Sequence, residues 1–404
     1  MPPDLPLPYM SITKIILFSG LFILFFSYIG YGILLWALVK IKRLFAGPQQ
    51  PAAPFIPPVA LIIAAYNEAP VIREKIENTL ALDYPPELLH IIFITDGSTD
   101  GTPDVVREYP AVHLMHEPFR RGKTAALNRA MEEVTAPVVI FCDANTLLNR
   151  DAIINIARHY GDPLTGGVAG EKKVIAADGN GAESTEGVYW KYESALKRLD
   201  AALYSVVGAA GELFSIRREL YSPVEPEVIL DDFVISLRAN MKGYRIAYEP
   251  GAYAMEAPSA SIREEYKRKV RISAGGFQSI VMLSPLLNIF RYGILSFQYI
   301  GHRVLRWTLA PLSLVLALVA NIVLVLQQAG GFYTLLLLLQ TGFYAASALG
   351  YAMALREKKV KLLYVPFYFT FMNLAVFHGF YRYITKTQSS VWAKAARTPA
   401  TRSI

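Results

Sequence analysis

Val59-Ala60-Leu61-Ile62-Ile63-Ala64-Ala65 carries no polar side chain until it runs into Tyr66-Asn67-Glu68. The pattern recurs in His90-Ile91-Ile92-Phe93-Ile94-Thr95 before Asp96-Gly97-Ser98, and in Pro137-Val138-Val139-Ile140-Phe141-Cys142 before Asp143-Ala144-Asn145. A short apolar run that stops at turn-forming residues reads as a strand buried on both faces. Val112–His116 adds a further strand, and helical periodicity fills 69–82 and 123–134. Strands alternating with helices predict an α/β, Rossmann-like domain with a mostly parallel sheet. Ligands of such sheets bind at the carboxyl ends of the strands. The three polar clusters stand at those ends, which directs them to one crevice, although strand ends are also where turns fall.

Outward from this domain the chain becomes apolar. Ile15–Val39 is long enough for one membrane helix of ~20 residues and ends in Lys40, Lys42 and Arg43. A cleaved signal peptide would have a shorter apolar core, so 1–43 reads as an anchor whose basic end and following domain lie in the cytoplasm. Pro- and Ala-rich residues 44–58 form a linker, and 59–276 form the soluble domain. Residues 277–307 mix apolar side chains with Arg291, His302, Arg303, Arg306 and Trp307, a pattern suited to interfacial helices. The rest, 308–404, holds about three candidate spans, 308–326, 332–355 and 362–381, and a basic tail. Three further spans would carry Arg382, Lys386, Lys394, Arg397 and Arg402 outside, against the positive-inside tendency. Either one segment is re-entrant, or 277–300 also crosses, or the tail breaks the rule.

The 404 residues are 53% hydrophobic and 18% charged, with mean hydropathy +0.31, which excludes an ordinary soluble enzyme and a disordered chain. No nucleic-acid motif accompanies the net charge of +7, and the basic residues flank apolar runs, so membrane lipids rather than nucleic acid are the expected partner. Cys142 is the single cysteine and reads as a small buried hydrophobe. The six histidines show no metal-binding spacing.

In order, Tyr66-Asn67-Glu68, Asp96-Gly97-Ser98-Thr99-Asp100-Gly101-Thr102, Gly122-Lys123, Asp143-Ala144-Asn145, Asp231-Asp232 and Arg268-Lys269-Val270-Arg271 resemble the motif set of membrane-integrated family 2 inverting glycosyltransferases. The relatives are the cellulose, chitin, hyaluronan and poly-N-acetylglucosamine synthases. The resemblance covers roughly 57–276 and extends to the flanking membrane segments. Residues 233–267, about 35 in number, separate Asp232 from Arg268, matching the family's interval between its third aspartate and its terminal Q/R-x-x-R-W motif. The resemblance implies a GT-A-type domain, a UDP-sugar donor, Mg2+ or Mn2+, and a polysaccharide or lipid-linked acceptor at the inner membrane.

By the same resemblance, Ala65, Tyr66, Asn67 and Glu68 line a nucleoside pocket and Asp96 accepts hydrogen bonds from base or ribose, though Asp-Gly-Ser also makes a plain turn. Asp143 and Asn145 take the position of the D-x-D metal motif. A hard cation prefers oxygen and is shared with phosphates, and Asn145 offers only a neutral carbonyl, so the metal would depend mainly on Asp143. Inversion needs a base for the acceptor hydroxyl: Asp232 is implied as that base and Asp231 as its acceptor-side neighbour. A helix beginning at Phe233 makes Asp231 equally an N-cap. Lys123, Arg268 and Arg271 would meet the charge that develops on a departing diphosphate, while Arg263, Lys267 and Lys269 of the same helix suit headgroups.

Arg268 replaces a more usual Gln. Ile272 stands where the family's Trp lies beneath the acceptor sugar, which weakens the implication of processive synthesis. Gly211–Arg218 resembles the acceptor-side strand and turn, and Tyr189-Trp190-Lys191-Tyr192-Glu193 offers aromatics for packing or acceptor contact. A polysaccharide acceptor, a lipid-linked oligosaccharide acceptor and a catalytically silent nucleotide-sugar-binding subunit are the three functions consistent with this set.

Overall fold

A computed structural model describes residues 7–45, 55–174, 185–356 and 360–389. Most of the expected linker, Lys394, Arg397 and Arg402 lie outside them. Eight strands among the described residues form one sheet: β1 Val59–Ala65, β2 Leu89–Asp96, β3 His113–Glu117, β4 Val138–Asp143, β5 Thr146–Leu148, β6 Thr165–Val174, β7 Leu213–Arg217 and β8 Arg245–Glu256. Their order is β3-β2-β1-β4-β7-β6-β8-β5. The first four are mutually parallel, with Ala65 beside Thr95 and Ala64 beside Asp143. That register brings the three polar clusters level at one edge.

The other half keeps the sheet mostly parallel but adds two reversed strands, β7 and β5. β7 runs antiparallel to β4 and β6, and β5 antiparallel to β8, while β6 and β8 are parallel. Leu213, Phe214 and Ile216 bury equally well whichever way β7 runs, so hydropathy carries no direction. Two apolar layers cover the sheet. Ile62, Ile94, Val139 and Phe141 face helices Lys123–Glu133 and Asp231–Met241, and Leu61, Ile63, Phe93 and Ile140 face Ile72, Ile76, Ile153 and Ile156. The alternation along β1 follows from the period of two in a strand.

Four helical stretches among the described residues are long and apolar enough to cross a membrane: Met10–Phe45, Leu309–Leu326, Gly331–Ala354 and Leu362–Ile384. None falls in 277–300, so that way of settling the tail's position drops out. The first stretch packs on Leu309–Leu326 through Leu17, Ala317, Ala320 and Leu324.

Helix Ile262–Met282 runs straight through residue 276, where the sequence places the end of the soluble domain. Its Ser273 and Ala274 lie against the last apolar helix at Gly379, where a Cβ would meet Ser273 Cβ at 2.5 Å. The sheet domain and the apolar helices therefore pack together through this helix. Arg303 and Arg306 both turn inward to Glu193. Lys269 likewise is buried and pairs with Glu265.

Candidate active site

Main-chain hydrogen bonds shape the ends of β1 and β2. Gly97 has φ +69°, and a Cβ there would lie 2.7–2.9 Å from Arg120, so only glycine fits this turn. Asn67, itself left-handed at φ 54°, donates its N–H to Ser98 Oγ at 3.1 Å and accepts from the Thr99 N–H at 2.8 Å. The Asp96 carboxylate accepts from the N–H groups of Arg121 (2.9 Å) and Gly122 (2.6 Å). Asp96 thus holds the loop that opens the Lys123 helix. The Arg120 guanidinium lies 3.6 Å from the centre of the Tyr66 ring, an arrangement suited to cation–π attraction.

At the end of β4, Lys123 Nζ donates to Asp143 Oδ1 at 2.6 Å. Burial alone would lower the Lys123 ammonium, but Asp143, Asp231 and Asp232 hold it well above its ordinary value. A Cβ on Gly211 would stand 3.4 Å from Lys123 Nζ and 3.3 Å from Asp232 Oδ2, so the cation and both carboxylates surround one small space. Burial, and then the adjacent Asp231 carboxylate, push Asp232 up to about 7 against the pull of Lys123. Asp231 is not the N-cap: Leu230 takes that position without a side-chain bond, and Asp231 opens the helix. Its Oδ2 is buried with no hydrogen-bond partner.

Arg271 faces the same group. Burial and Arg268 lower its guanidinium, while Asp231, Asp232 and Asp143 oppose that. Arg268 is held by Glu265 at 3.0 Å.

These residues border one cavity of about 1090 Å³, whose walls include Lys123, Asp143, Asp231, Asp232, Arg268 and Arg271. Its far wall comes from Tyr28, Tyr368, Phe369 and Asn373 of the apolar helices. Tyr66, Asn67, Glu68, Asp96 and Asn145 do not border it; they lie beside it at the neighbouring strand ends. The Tyr189-Trp190 pair and Gly211-Glu212 do border it.

Several supporting residues escaped the sequence reading. Lys75 is fully buried beneath the Asp143 turn and donates to Cys142 Sγ at 3.1 Å and to the Thr146 carbonyl at 2.8 Å. Lys172 is paired with Glu212 at 2.6 Å and with Glu256, and it holds Glu212 well below the usual carboxylate range despite burial. His302 bridges Asp200 (2.5 Å) and Glu193 (3.1 Å), and Arg303 reaches Glu193 at 2.7 Å. None of these lies in a local motif. Lys75 and Lys172 sit among other charged residues, in Arg73-Glu74-Lys75-Ile76-Glu77 and Glu171-Lys172-Lys173, so no local signal set them apart.

No group of three or more His, Cys, Asp or Glu side chains among the described residues could cage a metal. The oxygen-only pair Asp143 and Asn145 instead fits a hard cation that shares most of its coordination with a ligand's phosphates.

Comparison with known proteins gives this geometry its context. Residues 60–224 match the model of Glycosyl transferase family 2 and form a domain of that type. The poly-beta-1,6-N-acetyl-D-glucosamine synthases of Staphylococcus aureus (strain COL) and Staphylococcus epidermidis are 26% and 24% identical to the chain. Each match covers 55% of this chain and 55% of the relative, so the chain spans about half the length of the curated relatives it matches. A solved mannosyltransferase from Pyrobaculum calidifontis, in complex with GDP-Man and Mn2+, superposes with a TM-score of 0.67 at 24% identity, over 93% of this chain and 99% of that one. It has the same GT-A-like fold with flanking helices.

Proposed function

We propose that this chain, whose residues 60–224 form a family 2 glycosyltransferase domain, transfers a sugar with inversion from a UDP-sugar to a polysaccharide or membrane-associated acceptor at the cytoplasmic membrane face. One observation carries the proposal. Asp232, half-buried and raised to about 7, shares a cavity with Lys123, Arg268 and Arg271 and with side chains of the apolar helices.

The acceptor hydroxyl gives its proton to the Asp232 carboxylate while its oxygen bonds to the anomeric carbon. The bond from that carbon to the diphosphate breaks, and the electron pair leaves on the phosphate oxygen. Lys123 and Arg271 are placed to stabilise that charge in a site of low polarity. Tyr66, Asn67, Glu68 and Asp96 form the nucleoside end. Asp143, with Asn145, would hold Mg2+ or Mn2+, which when bound neutralises the diphosphate. A base with a pKa near working pH suits this task, and general base catalysis contributes about 10²–10⁴-fold.

A lipid-linked acceptor is a second reading, favoured by the cavity wall that Tyr28, Tyr368 and Asn373 supply from the apolar helices.

The test is a screen of the purified full chain with UDP-, GDP- and dTDP-sugars and either metal, following nucleotide release and product size. Asp232→Asn should lower transfer about 10²–10⁴-fold and leave UDP binding intact. Full turnover by that variant would remove Asp232 as the base. A ladder of products indicates a polymer, and a single added sugar indicates the lipid-linked reading.

A further inference from the structure

Helix Ile262–Met282 carries Arg271 and Ile272 into the cavity and then reaches Gly275-Gly276. The two glycines serve as seats for different parts of the chain. A Cβ on Gly275 would lie 2.7 Å from Leu230 Cγ and 2.9 Å from Ile229 Cγ2, the residues that lead into Asp231-Asp232. A Cβ on Gly276 would lie 2.6 Å from Trp307 Cδ2 and 2.8 Å from both Cε2 and Cε3. Near-equal distances to three fused-ring atoms mean that the indole lies face-on against the glycine backbone. The same indole is edge-on to Phe233, the residue after Asp232, with ring centres 5.5 Å apart at 63°. Trp307 is half-buried and borders the cavity together with Asp232, Arg271 and Ile272.

From this geometry we infer that Trp307, supplied by the segment next to the membrane helices, is the stacking platform for the acceptor sugar. The inference rests on the transfer reaction proposed above.

The chemistry is general. A pyranose ring presents a face of C–H groups that packs on an aromatic surface, and an indole offers a large apolar body with few rotamers to freeze. The other tryptophan on the cavity wall is committed elsewhere: Trp190 has the ammonium groups of Lys172, Lys197 and Lys269 at 5.1, 5.9 and 5.8 Å from its ring centre. Trp307 has no cation–π partner of that kind among the described residues, and it is anchored to the residue that follows the base. At about 1090 Å³ the cavity stands at the upper end of the ~300–1,000 Å³ of a small-molecule site, large enough for a sugar against Trp307. Ile272 is not aromatic, and the indole of Trp307 is seated one turn further along the same helix, on Gly276.

The experiment uses the full chain in nanodiscs with UDP and Mn2+. Tetraoses of β-1,4-glucose, β-1,4-N-acetylglucosamine, β-1,6-N-acetylglucosamine and α-mannose are offered, and saturation-transfer NMR reads sugar and UDP protons separately. At least one tetraose should be saturated by the wild type. Trp307→Leu should weaken that signal about tenfold, Trp307→Phe should restore most of it, and Gly276→Ala, which displaces the indole, should fall between. UDP saturation stays constant throughout.

With the tetraose that responds, transfer kinetics should show a raised acceptor KM with kcat within about threefold. Equal sugar saturation in wild type and Trp307→Leu overturns the platform, as does a wild type that binds UDP but none of the tetraoses. Absence of UDP saturation in the wild type overturns the donor reading instead.

Discussion

Around Asp96 a single carboxylate accepts main-chain N–H groups from the next loop, whereas around Glu193 buried side chains share charge. His302, Arg303 and Arg306 all reach Glu193, and His302 continues to Asp200, which accepts from Tyr31 at 2.6 Å. The first arrangement shapes the end of the site proposed above to take the nucleoside. The second ties the first apolar helix, helix Thr185–Leu203 and the 294–307 segment into the cavity wall on the membrane side. Main-chain bonds fix a loop at modest cost per bond, about 0.5–1.5 kcal/mol each. Buried charge pairs add little net stability when complete but are costly to break. The nucleoside end should therefore tolerate single losses, and the membrane-side wall should not.

The largest expected effect breaks the second arrangement. Glu193→Ala leaves Arg303, Arg306 and His302 without their shared carboxylate, and one-sided removal of a buried pair costs about 3–5 kcal/mol. Thermal unfolding in nanodiscs should show a much lower Tm than wild type. Ser98→Ala, which removes one acceptor from the Asn67 N–H, should cost only about 1 kcal/mol. Comparable losses in the two variants would erase the contrast.

Next in size is Arg271→Ala. Removal of one preorganised charge-stabilising group typically lowers kcat about 10²–10³-fold, and UDP-sugar binding should change much less. A loss confined to donor KM, measured by initial rates over donor concentration, would move Arg271 from leaving-group stabilisation to ground-state binding.

The contrast also explains what was legible in the sequence. The strand-end clusters are contiguous words of three to seven residues, and the parallel register of β1, β2 and β4 follows from apolar runs whose ends those words mark. The cations and carboxylates at 123, 143, 231–232 and 268–271, singled out by the family resemblance, border one cavity; the order and spacing that carry such a resemblance survive without contact information. Lys75 under Cys142, Lys172 with Glu212, and Trp307 on Gly276 were not legible. Each joins elements dozens of residues apart, and nothing local in a helix reports which distant strand or turn it will cover. The pairing of Arg303 and Arg306 with Glu193 was illegible for the same reason: a basic pair beside an apolar run does not report which distant carboxylate will face it.

A smaller effect probes the turn that both regions share. Lys75 bonds Cys142 Sγ and the Thr146 carbonyl, on either side of Asp143 and Asn145. Lys75→Met keeps the chain length and removes the donor. Outer-shell support of metal ligands is commonly worth about 10–100-fold in metal affinity or activity, so activity titrated with Mn2+ should require roughly that much more metal. Rescue at saturating Mn2+ identifies a positioning role. Failure of metal to restore activity would mean that Lys75 holds the fold of the turn and not the metal ligands in particular.

The smallest effect is a displacement along the pH axis. A base works unprotonated, so with Asp232 raised to about 7, transfer should climb with pH through that region and level off above it. Lys123 pulls Asp232 downward, while burial and Asp231 push it up. Replacing the cation in Lys123→Met removes the downward pull, and the acid limb of kcat should move to higher pH. A displacement of one unit corresponds to about tenfold lower activity on the limb, in addition to the pH-independent loss of kcat expected when a cation placed at the departing diphosphate is removed. Movement of the limb to lower pH in Lys123→Met would contradict the charge assignment. An unmoved limb in that variant would detach the titration from the Asp232 site, and the activity profile would then report a group outside the shared space around Gly211.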